Sequence, residues 1–285
     1  MSAKVVAITG STSGIGLAAA QALARDGHTV VLLVRHAERG RAVAEALTRL
    51  TGDSGRAHVV ECDLASFASV RGAADEVSSR FERLDVLVNN AGIIAQQREL
   101  SIDGNELTFQ VNHLSHFLLT HLLLDRLEAA APSLVVNVSS DSHLAAVSGI
   151  DLDDPQMERG WAPFGAYAAS KLANIEFTYA AAERWGPRGI ASCAVHPGMA
   201  DTGFGSDGWG AAGVVWRLLA PKLTAEKAAD TVVWLAEHPD PASLNGGYFY
   251  RRRPRRSSGA SRDVDAQRRL WRLSEELTAV PQAAS

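Results

Sequence analysis

Apolar residues fall along this chain in two alternating patterns. Short, nearly continuous runs at 4–9, 29–34, 58–62, 84–88, 133–140, 190–195 and 246–250 read as strands buried on both faces. Between them, 15–25, 37–50, 66–81, 106–127, 225–237 and 264–277 carry apolar residues at helical spacing. The alternation predicts an α/β chain, with no internal repeat and no long linker, so residues 1–285 are expected to form one domain. In 106–127, Leu107, Val111, Leu114, Leu118 and Leu122 recur as a core stripe, and Asn112 is the exception. A buried amide needs hydrogen-bond partners, which a distorted turn would provide. In 264–277, Ala266, Leu270, Leu273 and Leu277 form the stripe expected to dock the last helix.

Composition narrows the partners. A formal charge of −4 argues against a general nucleic-acid binder and favours a small molecule. No apolar run approaches the ~20 residues that span a bilayer, and the first strand begins too early for a signal peptide. A soluble, cytoplasmic protein with no membrane partner is therefore expected. Cys62 and Cys193 fall in predicted strands and are expected to be buried free thiols.

Candidate chemistry begins where the first strand runs into Gly10-Ser11-Thr12-Ser13-Gly14-Ile15-Gly16. Glycines spaced Gly-x-x-x-Gly-x-Gly between a strand and a helix allow a tight turn and close approach of a diphosphate, with helix N–H groups aimed at it. A flexible Gly/Ser turn is the alternative. Arg35 stands at the end of the second strand, with no acid at 33–35 to receive a ribose diol. A guanidinium there suits a 2′-phosphate, and a solvated helix-entry arginine is its alternative. Ser139-Ser140 close the fifth strand, where open parallel sheets place ligand-contacting groups. Tyr167-Ala168-Ala169-Ser170-Lys171 places a phenol and an ammonium one helical turn apart. A free tyrosine, with a pKa of roughly 10, exchanges protons poorly at neutral pH unless a cation stabilises its phenolate. His113, His116 and His121 share one predicted helix without Cys or carboxylate partners at ligand spacing, so no metal site is expected.

Together, TGSTSGIG, Asn89-Asn90-Ala91-Gly92, Val138-Ser139-Ser140, YAASK and Pro197-Gly198 resemble the short-chain dehydrogenase/reductase family in order and rough spacing. Cys62-Asp63-Leu64, Val111-Asn112-His113, the long interval from Ser140 to Tyr167, and SKLAN are similar to its retinol-dehydrogenase and WW-domain-oxidoreductase-like branch. Many relatives in that branch carry a membrane anchor. The resemblance implies a doubly wound Rossmann-like sheet of strand order 3-2-1-4-5-6-7, which would set the two cysteines far beyond the ~7 Å a disulfide allows. It implies Asn112, Ser140, Tyr167 and Lys171 as catalytic residues, with Asn112 holding a water beside the lysine. It further implies a cofactor site of Gly10 to Gly16, Arg35, Asp63, Leu64, Asn90, Ala91, Gly92, Tyr167, Lys171, Pro197, Gly198 and Thr202. Asp63 would accept from the adenine amino group, with a helix N-cap as its alternative.

The expected activity is NADP(H)-dependent hydride transfer between nicotinamide and a carbonyl or alcohol, with NAD(H) possible. Residues 204–223, rich in Gly and large apolar groups, are expected to be a lid over an apolar substrate, although an oligomer contact would look similar. Residues 141–166 are expected to form an ordered lip over the site, with a functionless surface loop as the alternative, and Arg251 to Arg256 a solvated loop, with contact to nucleic acid or an anionic surface as the alternative. A non-redox or transient-redox enzyme, or an NADP-sensing protein without turnover, would use the same fold.

Overall fold

A computed structural model of the chain describes residues 3–198 and 223–280. Thr202 and nearly all of the expected lid lie outside them. The first strand, β1 (Val5–Thr9), leads into α1 (Gly14–Arg25), followed by β2 (Thr29–Val34), α2 (Ala37–Thr51), β3 (Ala57–Glu61), α3 (Phe67–Arg80) and β4 (Val86–Asn89). After a long connection come α4 (Ser115–Leu122), α5 (Leu124–Ala129), β5 (Ser133–Val138), α6 (Pro163–Trp185) and β6 (Ile190–Val195). The chain closes with α7 (Ala225–Glu237), β7 (Gly247–Tyr250), β8 (Arg253–Pro254) and α8 (Val264–Thr278).

The strands form one sheet in the order β3-β2-β1-β4-β5-β6-β7-β8, parallel except for β8. The apolar runs are continuous because helices cover both faces. Leu87, Val135, Phe117, Phe177 and Leu270 belong to the core on the side of α3, α4, α6 and α8. Ile8, Leu23, Leu32, Val136 and Val232 belong to the core on the side of α1 and α7. All parallel strands therefore end on one edge, and that edge carries the predicted chemistry.

Four expectations change. The predicted 106–127 helix is broken into a single turn (Leu107–Phe109), a π-turn (Gln110–Leu114), α4 and α5. Ser115 N–H reaches back five residues to Gln110 O, so the apolar period survives while the hydrogen bonding slips by one residue. The buried face of α8 is Gln267, Leu270, Trp271, Ser274, Glu275 and Thr278, about one position round from the predicted stripe. Ser274 and Thr278 can be buried because their hydroxyls donate to Leu270 O (2.8 Å) and Ser274 O (2.6 Å), and Trp271 packs edge-on against Phe117. Cys62 sits one residue beyond β3, and it and Cys193 are buried free thiols. Finally, the arginine run is not simply a solvated loop. Arg253–Pro254 add an antiparallel edge strand, a position that tolerates proline, while Arg252 pairs with Asp230.

Candidate active site

The glycine turn is shaped by its backbone. Gly10 has φ of 68°, and a Cβ on Gly16 would stand 2.4 Å from Gly10 O, so only glycine lets α1 seat this close to β1. Ser13 is the helix N-cap but makes no side-chain cap hydrogen bond, which leaves first-turn N–H groups to an outside acceptor. Ser11 Oγ is buried with no hydrogen-bond partner among the described residues. Thr12 stands between these two serines. Arg35 lies exposed just past β2, its Nε donating to His36 Nε2 at 3.1 Å. Asp63 and Leu64 follow β3. Asp63 Oδ1 accepts from Ala65 N (3.0 Å), while Ser66, and not Asp63, caps α3. Leu64 contributes its side chain to the core.

The turn after β4 is tied to the glycine turn through Thr9. Thr9 Oγ1 accepts from Asn90 N (2.9 Å) and Ala91 N (3.0 Å), and Asn90 Nδ2 donates to Thr9 O (2.8 Å). His116 orders this hydroxyl. Its Nδ1 lies 3.0 Å from Asn112 O, and a carbonyl only accepts, so the neutral ring carries its proton on Nδ1 and Nε2 accepts from Thr9 Oγ1 at 2.9 Å. Burial pushes the His116 pKa down to about 4, which keeps the ring neutral. Neither Thr9 nor His116 is visible as a site residue in the sequence, although the odd cluster of histidines on one helix was the available signal. His113 and His121 serve packing, with Ser274 Oγ and Phe117 O as partners. Among the described residues, no group of three ligating side chains could hold a metal ion.

Gly92, Asn112, Tyr167 and Lys171 meet where the turn after β4, the π-turn and the first half of α6 come together. A Cβ on Gly92 would lie 3.2 Å from Asn112 Oδ1 and 3.4 Å from Lys171 Nζ, so glycine keeps this space open. Asn112 spends both amide hydrogens, on Ile93 O (3.0 Å) and Ser170 Oγ (2.9 Å), and its Oδ1 accepts from Ile93 N (2.7 Å). Ser170 in turn donates to Tyr167 O, so the π-turn pins the helical turn that carries Tyr167 and Lys171. Lys171 Nζ donates to Val138 O (3.1 Å) and stands 5.5 Å from the centre of the Tyr167 ring. Ser139 Oγ donates to Lys171 O at 2.7 Å, which locks α6 onto β5.

Electrostatics departs from the simple picture of a lysine lowering a phenol. Burial pushes the Tyr167 phenol above its ordinary range, with a hydrogen bond from Ser140 acting in opposition. Burial also pulls the Lys171 ammonium down to about 8. Pro197 and Gly198 follow β6 on the same edge. Gly198 has φ of 88°, and a Cβ there would meet Leu223 Cδ1 at 2.6 Å.

The short chain dehydrogenase family description matches residues 4–152. Retinol dehydrogenase 12 of Mus musculus is 36% identical over 278 residues, spanning 97% of this chain and 87% of its own. The chain belongs to the short-chain dehydrogenase/reductase family. A proposed daunorubicin C-13 ketoreductase of Streptomyces sp. (strain C5) is 38% identical over 95% of this chain and 91% of its own. Among solved structures, a short chain dehydrogenase from Burkholderia cenocepacia J2315 in complex with NADP superposes with a TM-score of 0.69 at 30% identity, covering 87% of this chain and 95% of that one. This short-chain dehydrogenase lies in the retinol-dehydrogenase-like branch and is an NAD(P)-dependent oxidoreductase acting on CH–OH and C=O groups. Among its described residues, no helix is long and apolar enough to cross a membrane.

Proposed function

We propose that this short-chain dehydrogenase is an NADP(H)-dependent carbonyl reductase and alcohol dehydrogenase for an apolar small molecule. The observation that carries the reading is the convergence of Ser140, Tyr167 and Lys171 beside the open space at Gly92. The uncapped start of α1, the orphaned Ser11 hydroxyl and the exposed Arg35 fit a phosphorylated dinucleotide. Gly10 to Gly16 would hold its diphosphate. Arg35 would hold the 2′-phosphate, Asp63 and Leu64 the adenine, and Asn90 to Gly92 the adenosine ribose. Lys171 would hold the nicotinamide ribose, and Pro197 and Gly198 the carboxamide end.

When bound, the nicotinamide supplies a hydride to the carbonyl carbon. Ser140 Oγ donates to the carbonyl oxygen and stabilises charge as it develops. Tyr167 gives its phenolic proton to that oxygen as the C–O double bond becomes a single bond, leaving a phenolate beside the Lys171 ammonium. Oxidation of an alcohol runs the same transfers backwards. Residues 141–166 act as a lip over this site, held by Trp161 Nε1 on Glu106 Oε1 (3.1 Å) and by Glu106 N on Gln156 Oε1 (2.6 Å). Absorbance of NADPH followed against aldehydes, ketones and quinones tests the reading. Net NADPH consumption by an apolar carbonyl supports it. Product without net consumption would replace it with a transient-redox activity on the same fold.

A further inference from the structure

The residues after Ser140 are held by a segment more than a hundred positions later in the chain. Arg255 Nη1 donates to both carboxylate oxygens of Asp141, the residue after Ser140, at 2.8 and 2.9 Å. Tyr248 Oη donates to Asp141 Oδ1 at 3.2 Å. Burial, then the Asp141 charge, raises the Tyr248 pKa above its ordinary range, so this phenol stays protonated and able to donate. On the other side, His143 Nδ1 donates to Ser140 O (2.7 Å), and its Nε2 accepts from Ser258 N (3.2 Å). The stretch from β7 to Ser258 thus grips the serine turn at two points. The same stretch reaches the neighbouring turn. His196 N donates to Phe249 O (2.9 Å), and the His196 ring stacks on Tyr250 and stands 3.5 Å from Asp141 Oδ2.

The geometry points to Arg255, acting through Asp141, as a positioning residue for the Ser140 hydroxyl. The inference rests on the carbonyl-reductase reading given above. Arg255 and Asp141 are 37% and 39% exposed in their side chains, and pairs this exposed contribute little to folding stability. A hydroxyl that must meet a developing oxyanion is far more sensitive to small displacements. Loss of the pair should therefore appear in turnover and hardly in melting.

The test compares wild type, Arg255→Ala, Arg255→Lys, Asp141→Asn and the control Arg256→Ala, each also built on Ser140→Ala. In the wild-type background, Arg255→Ala and Asp141→Asn are expected to lower carbonyl-reduction kcat roughly tenfold, while NADPH affinity stays within about threefold and the melting temperature within a few degrees. Arg255→Lys should recover part of the loss, because an ammonium keeps the charge but not the planar head. On Ser140→Ala, Arg255→Ala should cost less than about twofold more, since the group it positions is gone. An equal loss in both backgrounds, a loss that follows NADPH affinity or melting, or no loss at all would overturn the proposal. A wild type that reduces no carbonyl overturns the activity reading instead. The brace is then read by amide exchange, where faster exchange at Ser142 and His143 in Arg255→Ala supports it and unchanged exchange removes it.

Discussion

The glycine turn after β1 and the serine turn after β5 stand on the same edge of one sheet, yet they are shaped by different means. In the first, the backbone sets the form. Gly10 takes a left-handed φ, and Gly16 leaves no room for a Cβ against Gly10 O. In the second, partners distant in sequence set the form, the Arg255 side chain holding Asp141 and the Ser258 backbone N–H holding the His143 ring. A turn written in glycine can be read from a short stretch of sequence. A turn written in partners cannot, because a surface arginine or a main-chain N–H looks ordinary until the fold brings it in.

The two halves should also break differently. Gly16→Ala places a methyl group against backbone that has no rotamer to yield, so it should destabilise the chain by at least the ~3 kcal/mol at the upper end of overpacking and abolish cofactor binding. Urea unfolding and NADPH titration would measure both. A stable, NADPH-binding Gly16→Ala protein would remove the backbone half of the contrast.

A smaller effect is expected at Arg35, which lies exposed just past β2 with its Nε on His36. Charge-assisted hydrogen bonds contribute roughly 1.5 to 3 kcal/mol, so NADPH should bind about ten- to a hundredfold better than NADH. Arg35→Ala should remove most of that preference without changing NADH affinity. Titrating both cofactors into both proteins sharpens the comparison, and equal wild-type affinities would withdraw the 2′-phosphate assignment.

The smallest shift is in pH dependence. Burial lowers Lys171 from 10.5 to about 8, so the folded chain releases this proton while the unfolded chain still holds it. Stability should therefore rise with pH between about 8 and 10.5, because there the unfolded state binds more protons. Activity should move the opposite way. In carbonyl reduction, kcat/KM for NADPH should fall as pH passes about 8 and the ammonium is lost. A pH–rate profile flat to pH 10 would contradict the role given to the charged lysine.

The fold was legible because β1, β2 and β4 to β6 are apolar on both faces and separated by helical periods, a pattern with few solutions. The glycine turn, Tyr167 and Lys171 were legible because their spacing is itself the signal. Other features carry no such signal. The π-turn at Gln110–Leu114 keeps the apolar rhythm of an ordinary helix and changes only the hydrogen bonds, so Asn112 stood out without its partners being readable. The face of α8 was misplaced because Ser274 and Thr278 satisfy their own hydroxyls and can be buried as well as leucine. Thr9 and His116 depend on a contact across 107 positions, and the Asp141 to Arg255 pair on one across 114. Periodicity does not register pairings at that range.

In the proposed carbonyl reduction the Tyr167 phenol donates the proton. Steady-state NADPH oxidation by wild type and Tyr167→Phe, with NADPH affinity measured separately, tests it most directly. The ring and its packing survive the substitution, so affinity should hardly change, while turnover should fall by at least the ~10²-fold typical of a lost general acid. A Tyr167→Phe enzyme that keeps turnover within a few-fold of wild type would contradict the account.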